Sequence, residues 1–535
     1  MTTQPMRWTL LCVLTGALTL AAKPALAELP EEGAALAPAD SGVFIELDDL
    51  AQVRRELEQD PLINYLREHT PAKREPAAWR AVQDAMGMSG EQLFDRYFGQ
   101  QLVIVGEGTQ EGGPGVMLSR VSEDDAELAI ERLDLQRVAE PGAFELYHTA
   151  DGLGRLAFGD GWMAMGDPAH EDYIQRLLGS IGQAETLADS PVFQQWIGKV
   201  ADGSFARMFV QDPDKNQIHA AAVEREEGRL ELRYAGQSDE TSQLLSRVSD
   251  AEALEFGPLP RQTISATTLN LRDDKPDAGF VALMDRLLGN ATYEGDVLPK
   301  LGAPIVTFLG EVKGEELVPR AAFSAPVLGI AIKLRDQSVA EELDRAMQNM
   351  LMFANVATMQ MEVDPIELMT VEHEGVTFRS ADVGTPLAQQ LGEPSLAGAA
   401  QVSFGRIGDW YVVTTNAQYF EWCINADSDN AWRIDTSADV TKMNLAAPER
   451  PIATSFLRAP ELAAHVRTWV AYAGAREPQW LDDAERDEPN TKPGRVIKGL
   501  TLLAGVLDHY EGMSVQVYGG EEEDTLRANA LLQRQ

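Results

Sequence analysis

The feature that most constrains the fold of this chain is one long internal repeat. Its period is about 220 residues, far longer than the 20–50 residues typical of solenoid repeats, so it indicates a duplicated domain and not an array. Five pairs of segments recur in the same order along the two halves: 38–47 with 260–269, 98–107 with 301–311, 115–120 with 329–334, 158–162 with 404–410, and 218–234 with 513–531.

Each half interleaves short strand patterns with helical ones, and its strands return through tight turns. That order predicts an α+β fold of two homologous lobes, each a mostly antiparallel or mixed sheet with helices packed on one face. The predicted organisation is a first lobe over 28–250, a linker over 251–261 that contains Gly257-Pro258-Leu259-Pro260, and a second lobe over 262–535. The second lobe is longer, which predicts insertions near 355–364, 427–447 and 476–495.

The N-terminus has the pattern of a secretory signal peptide over residues 1–27. Arg7 supplies a positive start, residues 8–22 form an apolar run, and Ala25-Leu26-Ala27 is a small-x-small cleavage site. We therefore expect cleavage after Ala27 and a periplasmic or secreted protein. An uncleaved anchor is the alternative, and Lys23 before the site favours it slightly. No later stretch has the roughly 20 apolar residues that a membrane-spanning helix needs.

Composition restricts the partners and the redox chemistry. Cleavage would remove Arg7 and Lys23 and no acidic residue, so the formal net charge would change from −39 to −41. Such a charge disfavours nucleic acid and anionic membrane surfaces and leaves a cationic protein or an envelope component as candidate partners. A plain solvated acidic surface is the simpler interpretation. Because Cys12 leaves with the signal peptide, Cys423 remains alone and no intrachain disulfide can form.

The repeat also tests candidate sites, because scaffold residues tend to recur in both halves. Cys423 aligns with Ile174, which predicts a buried core thiol and not a nucleophile. Trp162 aligns with Trp410, which favours packing over ligand stacking. The equivalent residues Asp167 and Asn416 are predicted helix N-caps, and Ser122 and Ser338 are predicted to cap further helices.

No residue is predicted to be catalytic, cofactor-binding or metal-binding. The seven histidines lack metal-ligand spacing, and Gly-x-Ser-x-Gly, Ser-x-x-Lys and Walker motifs are absent from the sequence. Asp212/Asp214 and Asp427/Asp429 resemble calcium loops only faintly, and turn-forming side chains explain both pairs. One methionine cluster could bind Cu(I), but helical spacing with Leu343 and Leu351 favours a core filler: Met347, Met350, Met352, Met359 and Met361.

Several short motifs of the first half resemble a known family. They are a Pro-x-Asp strand opening at Pro38, the strand bracketed by Gly99 and Gly106, Gly161-Trp162-Met-Ala-Met-Gly166, and Leu187-Ala-Asp-Ser190-Pro191-Val-Phe193. In these the chain resembles a family of exported bacterial proteins catalogued only as a domain of unknown function. The resemblance covers most of the first half and less of the second. It implies export and two related lobes, and it carries no activity, cofactor or site residue.

These observations favour a non-enzymatic binding or envelope-associated module. The alternative is a carboxylate-dependent hydrolase that acts on an envelope polymer, and a third possibility is a chaperone-like or inhibitory partner of a basic exported protein. A hydrolase should concentrate buried carboxylates of perturbed pKa in one lobe. A binding module should instead expose an apolar or aromatic patch at the junction of the two lobes.

Overall fold

The chain folds into two compact units. The structure, a computed structural model, describes residues 32–69, 76–108, 113–141, 143–149, 154–181, 185–200, 204–226, 228–245, 255–270, 278–317, 324–360, 363–392, 394, 397–443, 451–476, 493–519 and 525–534. The first unit draws its described residues from 1–242 and 520–531, and the second from 243–519 and 532–535. The predicted signal peptide (1–27), and 477–492 of the predicted 476–495 insertion, lie outside the described residues.

The first unit is built on one antiparallel sheet. Its strand order is β4-β5-β6-β7-β3-β2-β1-β8-β9-β10, and the C-terminal strand β20 (Thr525–Arg534) pairs with β10. The β6–β7 hairpin closes through Asp160 and Gly161, both at positive φ, as a two-residue turn between twisted strands requires. The strands are β1 (Val43–Asp48), β2 (Gln101–Gly106), β3 (Gly115–Arg120), β4 (Gln136–Ala139), β5 (Glu145–His148), β6 (Arg155–Gly159), β7 (Trp162–Gly166), β8 (Ala206–Asp212), β9 (Gln217–Glu226) and β10 (Arg229–Gln237).

Helices pack on both faces of this sheet. On one face, α7 and α8 cover Phe44, Leu118 and Ala164; on the other, α5 and α6 cover Phe158 and Met163. The helices are α1 (Glu32–Ala35), α2 (Leu50–Gln59), α3 (Pro61–His69), α4 (Ala77–Met86), α5 (Gly90–Tyr97), α6 (Glu123–Arg132), α7 (Glu171–Ser180), α8 (Pro191–Ile197) and α9 (Asp239–Leu245), in which the unit ends.

The second unit is built on a sheet of the same design. Its order is β14-β15-β16-β17-β13-β12-β11-β18-β19, again antiparallel throughout. Each of these strands takes the position of the strand numbered ten lower in the first unit. The strands are β11 (Thr263–Leu269), β12 (Leu301–Val312), β13 (Ala325–Leu334), β14 (Leu368–His373), β15 (Val376–Asp382), β16 (Gln401–Ile407), β17 (Trp410–Thr414), β18 (Ala453–Arg458) and β19 (Tyr510–Gly519).

Helices cover both faces of the second sheet as well. Phe420 of α13 packs against Val306 and Val412, whereas Leu343 of α11 packs with Tyr411 on the opposite face. The helices are α10 (Ala278–Leu288), α11 (Ala340–Gln360), α12 (Gly384–Leu391), α13 (Ala417–Ser428), α14 (Ala438–Lys442), α15 (Ala459–Arg476) and α16 (Pro493–Leu507).

The α+β class and the antiparallel sheet are confirmed, but the prediction that helices pack on one face is wrong. The strands next to the β3 and β13 positions are buried on both sides, because successive side chains point to opposite faces and both sets are apolar. In β7, for example, Met163 and Ala164 are both buried, in different clusters. Among the described residues, no helix combines the length and the apolar content needed to cross a lipid bilayer.

Candidate functional site

The residues singled out in the sequence fall mostly into the scaffold. Cys423 is completely buried in α13, where burial raises the pKa of its thiol, and Ile174 is equally buried in α7. Trp162 and Trp410 are both core residues. A buried thiol of raised pKa is a poor nucleophile, so the prediction that Cys423 is a core residue is confirmed.

Two of the histidines and both calcium-like loops make ordinary structural contacts. His465 Nδ1 lies 3.0 Å from Glu311 Oε1, and His219 Nδ1 lies 2.7 Å from Tyr234 Oη. Asp212 pairs with Lys215 at 2.5 Å, and Asp429 accepts a hydrogen bond from the Ala431 amide as a helix cap. Within the described ranges, no group of three or more histidine, cysteine, aspartate or glutamate side chains could hold a metal ion.

A buried charged cluster in the first unit is a first candidate site. Glu46 in β1 is fully buried, and its carboxylate accepts hydrogen bonds from Gln101 Nε2 at 2.7 Å and Arg207 Nη2 at 2.6 Å. Asp48 follows on the same face of the strand. A Cβ placed on Gly33 would lie 2.1 Å from Glu46 Oε1, so α1 closes directly over this carboxylate.

Both carboxyl groups of this cluster have a raised pKa. Burial raises the pKa of Glu46, against the opposing effects of the Arg207 charge and the hydrogen bonds from Arg207 and Gln101. Burial, reinforced by the negative charge of Glu46, raises the pKa of Asp48 to about 7. Asp48 Oδ2 and Arg207 Nε are buried without a hydrogen-bond partner in the described part of the chain. Two carboxyl groups therefore lie near one guanidinium, which forms its ion pair with Glu46.

The equivalent positions of the second unit are neutral. Thr268 pairs with Val306 and Thr454 as Glu46 pairs with Val103 and Arg207. The Asn270 amide donates to Ile452 O at 3.0 Å, as the Asp48 amide donates to Phe205 O at the same distance. The charges are thus peculiar to one unit. The sequence offered one sign of this, since an acidic residue replaces threonine at a core-facing position of an aligned strand.

An exposed apolar surface in the second unit is the other candidate site. Of the sixteen large hydrophobic side chains that are exposed in the described residues, ten belong to α10, α11, β14 and α12. Met359 is the most exposed of all, at 74%. We call six of them the methionine surface: Met352, Phe353, Val356, Met359, Leu368 and Leu387.

Hydrogen bonds bring the three elements of the methionine surface together. The Asn355 side chain on α11 accepts from the Ile366 amide at 2.6 Å and donates to Ile366 O at 3.0 Å. Gln389 on α12 accepts from the Asp364 amide at 2.9 Å. The segment that leads into β14 is thereby clamped between α11 and α12, and the six apolar side chains lie within a turn or a few residues of these bonds.

The core-filler prediction for the methionines of this helix holds only in part. Leu343 and Leu351 are buried and Met347 is half-buried, as the helical spacing predicts. Met350, Met352 and Met359 are exposed instead, and Met361 lies outside the described residues. The second apolar stripe of α11 thus has no partner within the described residues of its unit.

The corresponding helix of the first unit has the opposite character. α6 has ten residues against twenty-one in α11. Its exposed face is acidic, with Glu123, Asp124, Glu127 and Glu131 toward solvent. The fold therefore does not require an apolar outer face at this position. Comparison with known proteins found no matching family model, no matching curated protein and no matching solved structure.

Proposed function

We propose that this chain is an exported binding protein without catalysis of its own, made of two copies of one α+β domain, and that it binds its partner through the methionine surface of the second copy. The observation that carries this proposal is the concentration of exposed apolar side chains on elements of one unit, at a position where the other unit is charged. Solvent-exposed apolar patches of this kind mark interaction sites in soluble proteins.

Duplication is supported by contacts that recur at aligned positions. Ser41 Oγ donates to Pro38 O at 2.7 Å, and Thr263 Oγ1 donates to Pro260 O at 2.6 Å. Pro38 forms a bridge with Thr186, and Pro260 forms one with Arg433. The two sheets also have the same strand order. Two unrelated folds would not be expected to share both this order and these contacts.

At the tryptophans the strand register makes Lys333 the counterpart of Arg120, one residue off the sequence match of 115–120 with 329–334. The Arg120 guanidinium lies 4.2 Å from the ring centre of Trp162, and the Lys333 ammonium lies 5.9 Å from that of Trp410. A cation over an indole ring is a favourable contact, so its conservation in kind supports common packing.

Duplication also narrows the predicted insertions. The helical turn Leu187–Asp189 precedes the Ser190 cap of α8, and Ile434–Thr436 precedes Ser437 at the start of α14. We infer that 434–442 is the counterpart of 187–197, so only part of 427–447 is inserted. The insertion predicted near 355–364 falls on the C-terminal end of α11 and the segment after it, where the methionine surface lies.

The energetics favour a surface that is covered in use. Full burial of a Val, Phe or Met side chain is worth about 1.5–3 kcal/mol, so a partner that covers Phe353, Val356 and Met359 gains several kcal/mol. More than half of each of these side chains is exposed in the free protein.

The hydrolase alternative rests on the carboxyl pair of the first unit, and the geometry disfavours it. A catalytic carboxyl group must reach a substrate. Glu46 is fully buried and both its oxygens are bonded to protein donors, so the pair resembles a structural charge cluster more than an open active site.

A triple substitution with glutamine tests the proposal. Phe353→Gln, Val356→Gln and Met359→Gln together should change the unfolding free energy by no more than about 0.5 kcal/mol, because side chains that are more than half exposed contribute little. The same variant should lose most of the binding of a neutral hydrophobic dye such as Nile red, measured by fluorescence titration.

The matched control replaces exposed apolar residues of the first unit. Val138→Gln with Val192→Gln removes side chains of 46% and 38% exposure and should leave dye binding unchanged. Equal dye binding by the wild type and the triple variant would contradict the proposal. So would a loss of stability of more than about 2 kcal/mol, since that would place the three side chains in the core.

A further inference from the structure

We propose that the partner presents a cationic amphipathic helix to the methionine surface. This inference rests on the proposed function and names the chemistry of what binds. It follows from three observations: the charge around the surface, the spacing of its apolar side chains, and their chemical type.

The charge around the methionine surface is strongly negative. Residues 346–405 contain seven acidic residues and a single Lys or Arg, Arg379. Arg379 lies 4.0 Å from Asp344, so its charge is already directed to an acidic neighbour. Glu367 and Glu372 are exposed, and neither takes part in any ion pair among the described residues. A partner with Lys or Arg beside its apolar stripe would supply the missing counter-charges.

The spacing of the apolar side chains suits a helix. Met352, Val356 and Met359 stand at positions i, i+4 and i+7 of α11, so they form one ridge about two turns long. Ridges of this kind pack into the groove of a second helix. Five of the six side chains of the methionine surface lie on the helices α11 and α12, whose backbone groups are bonded within each helix. A partner that bound by adding a β-strand would therefore use little of this surface.

The side-chain type suits a partner of variable sequence. Methionine has an unbranched, polarisable side chain that adapts to irregular apolar shapes. Surfaces rich in methionine can therefore accept amphipathic helices that differ in sequence. A second copy of this chain is a poor occupant in comparison, because each copy carries a formal charge of −39 and the same acidic rim would face itself.

Two peptides of opposite charge test the partner's chemistry. One is a labelled helix of about 14 residues with leucine at helical spacing and lysine elsewhere, and the other has glutamate in place of lysine. We expect the Lys/Leu peptide to bind the full-length mature chain at least about tenfold more tightly than the Glu/Leu peptide, by fluorescence anisotropy near physiological salt. The Phe353/Val356/Met359 glutamine variant should bind the Lys/Leu peptide about tenfold or more less tightly than the wild type does.

Paired charge variants separate local from general attraction. Glu367→Gln with Glu372→Gln should lower the affinity for the Lys/Leu peptide about three- to tenfold. Glu127→Gln with Glu131→Gln on α6 removes the same charge from the first unit and should change its affinity by less than about twofold. Equal losses from both pairs would show attraction to net charge alone and would overturn the inference.

The remaining outcomes distinguish this inference from the proposed function. If both peptides bind equally and the glutamine variant weakens both, the surface binds partners but the cationic partner is wrong. If neither peptide binds while Nile red still depends on the surface, the inference again fails alone. If sedimentation shows a dimer that the glutamine variant abolishes, the occupant is a second copy. If neither peptide nor dye depends on the surface, both proposals fail.

Discussion

Arg207→Ala is expected to destabilise the first unit by about 3–5 kcal/mol, because it leaves the fully buried Glu46 carboxylate without its counter-charge. Arg207 is itself almost entirely covered, with a side-chain exposure of 11%, and it reaches Glu46 at 2.6 Å across neighbouring strands. No nearby described cation other than Arg207 pairs with Glu46, so removing it strands a charge in the core.

The measurement is denaturant unfolding followed by hydrogen exchange of the β1 and β8 amides, which reports the first unit separately. Thr454→Ala is the matched control, because Thr454 occupies the equivalent position of the second unit and carries no charge. Replacing both partners, Glu46→Leu with Arg207→Met, should recover most of the loss, since apolar pairs of similar volume substitute well for buried ion pairs. A single variant that costs under about 1 kcal/mol would show that Glu46 is not held as described.

Asp48 is expected to make the stability of the first unit depend on pH. The pKa of this carboxyl is raised to about 7 in the folded state from an ordinary value of 3.8, so the folded chain holds its proton more tightly than the unfolded chain does. Its stabilising effect is therefore complete in acid and is lost as the pH rises from about 4 to about 7. The raised pKa of Glu46 acts in the same direction.

Thermal unfolding of the first unit between pH 5 and pH 8 measures this effect. The wild-type midpoint should fall from pH 5 to about pH 7 and level off above it. Asp48→Asn should flatten the fall and unfold at a higher temperature than the wild type at pH 8. The asparagine copies Asn270, the residue at the equivalent position of the second unit. Parallel pH profiles for the two proteins would show that Asp48 stays ionised throughout.

The sequence predicts those parts of the fold that depend on local interactions, such as helix caps. Ser122 accepts from the Asp125 amide, Asp167 from the Ala169 amide and Asn416 from the Tyr419 amide, so three predicted helix caps are confirmed. Ser338 does not cap α11. The Asp336 carboxylate instead accepts from the Ser338 amide and caps a short 3-10 turn that leads into the helix. Ser338 therefore lies inside this turn and not at its cap.

Pairing register was harder to read. The Phe-Gly dipeptides at 158–159 and 404–405 look equivalent in sequence, but Gly159 pairs with Trp162 whereas Ile407 pairs with Trp410. Gly405 therefore occupies the position of Ala157. Both hairpins turn through two residues, so the distance from the tryptophan fixes the register and the dipeptide match is accidental.

The two candidate sites were hidden for different reasons. Apolar periodicity predicts that α11 packs on a core, but it cannot show whether a second apolar stripe on the same helix is covered. Glu46 follows an apolar residue in a strand, where an acidic side chain normally points to solvent. Its burial depends on Arg207, 161 residues away, which no local pattern connects to it.

Methionine oxidation tests the central claim, that a partner covers the methionine surface of the second unit, without any substitution. Under limiting peroxide the free chain should oxidise Met359 fastest, while Met163 and Met208, at 4% and 8% exposure, stay reduced. With saturating Lys/Leu peptide, oxidation of Met352 and Met359 should slow by at least about fivefold, while Met513, 37% exposed on β19, oxidises at its free rate. Unchanged oxidation of Met352 and Met359 in the complex, or equal protection of Met513, would contradict the claim.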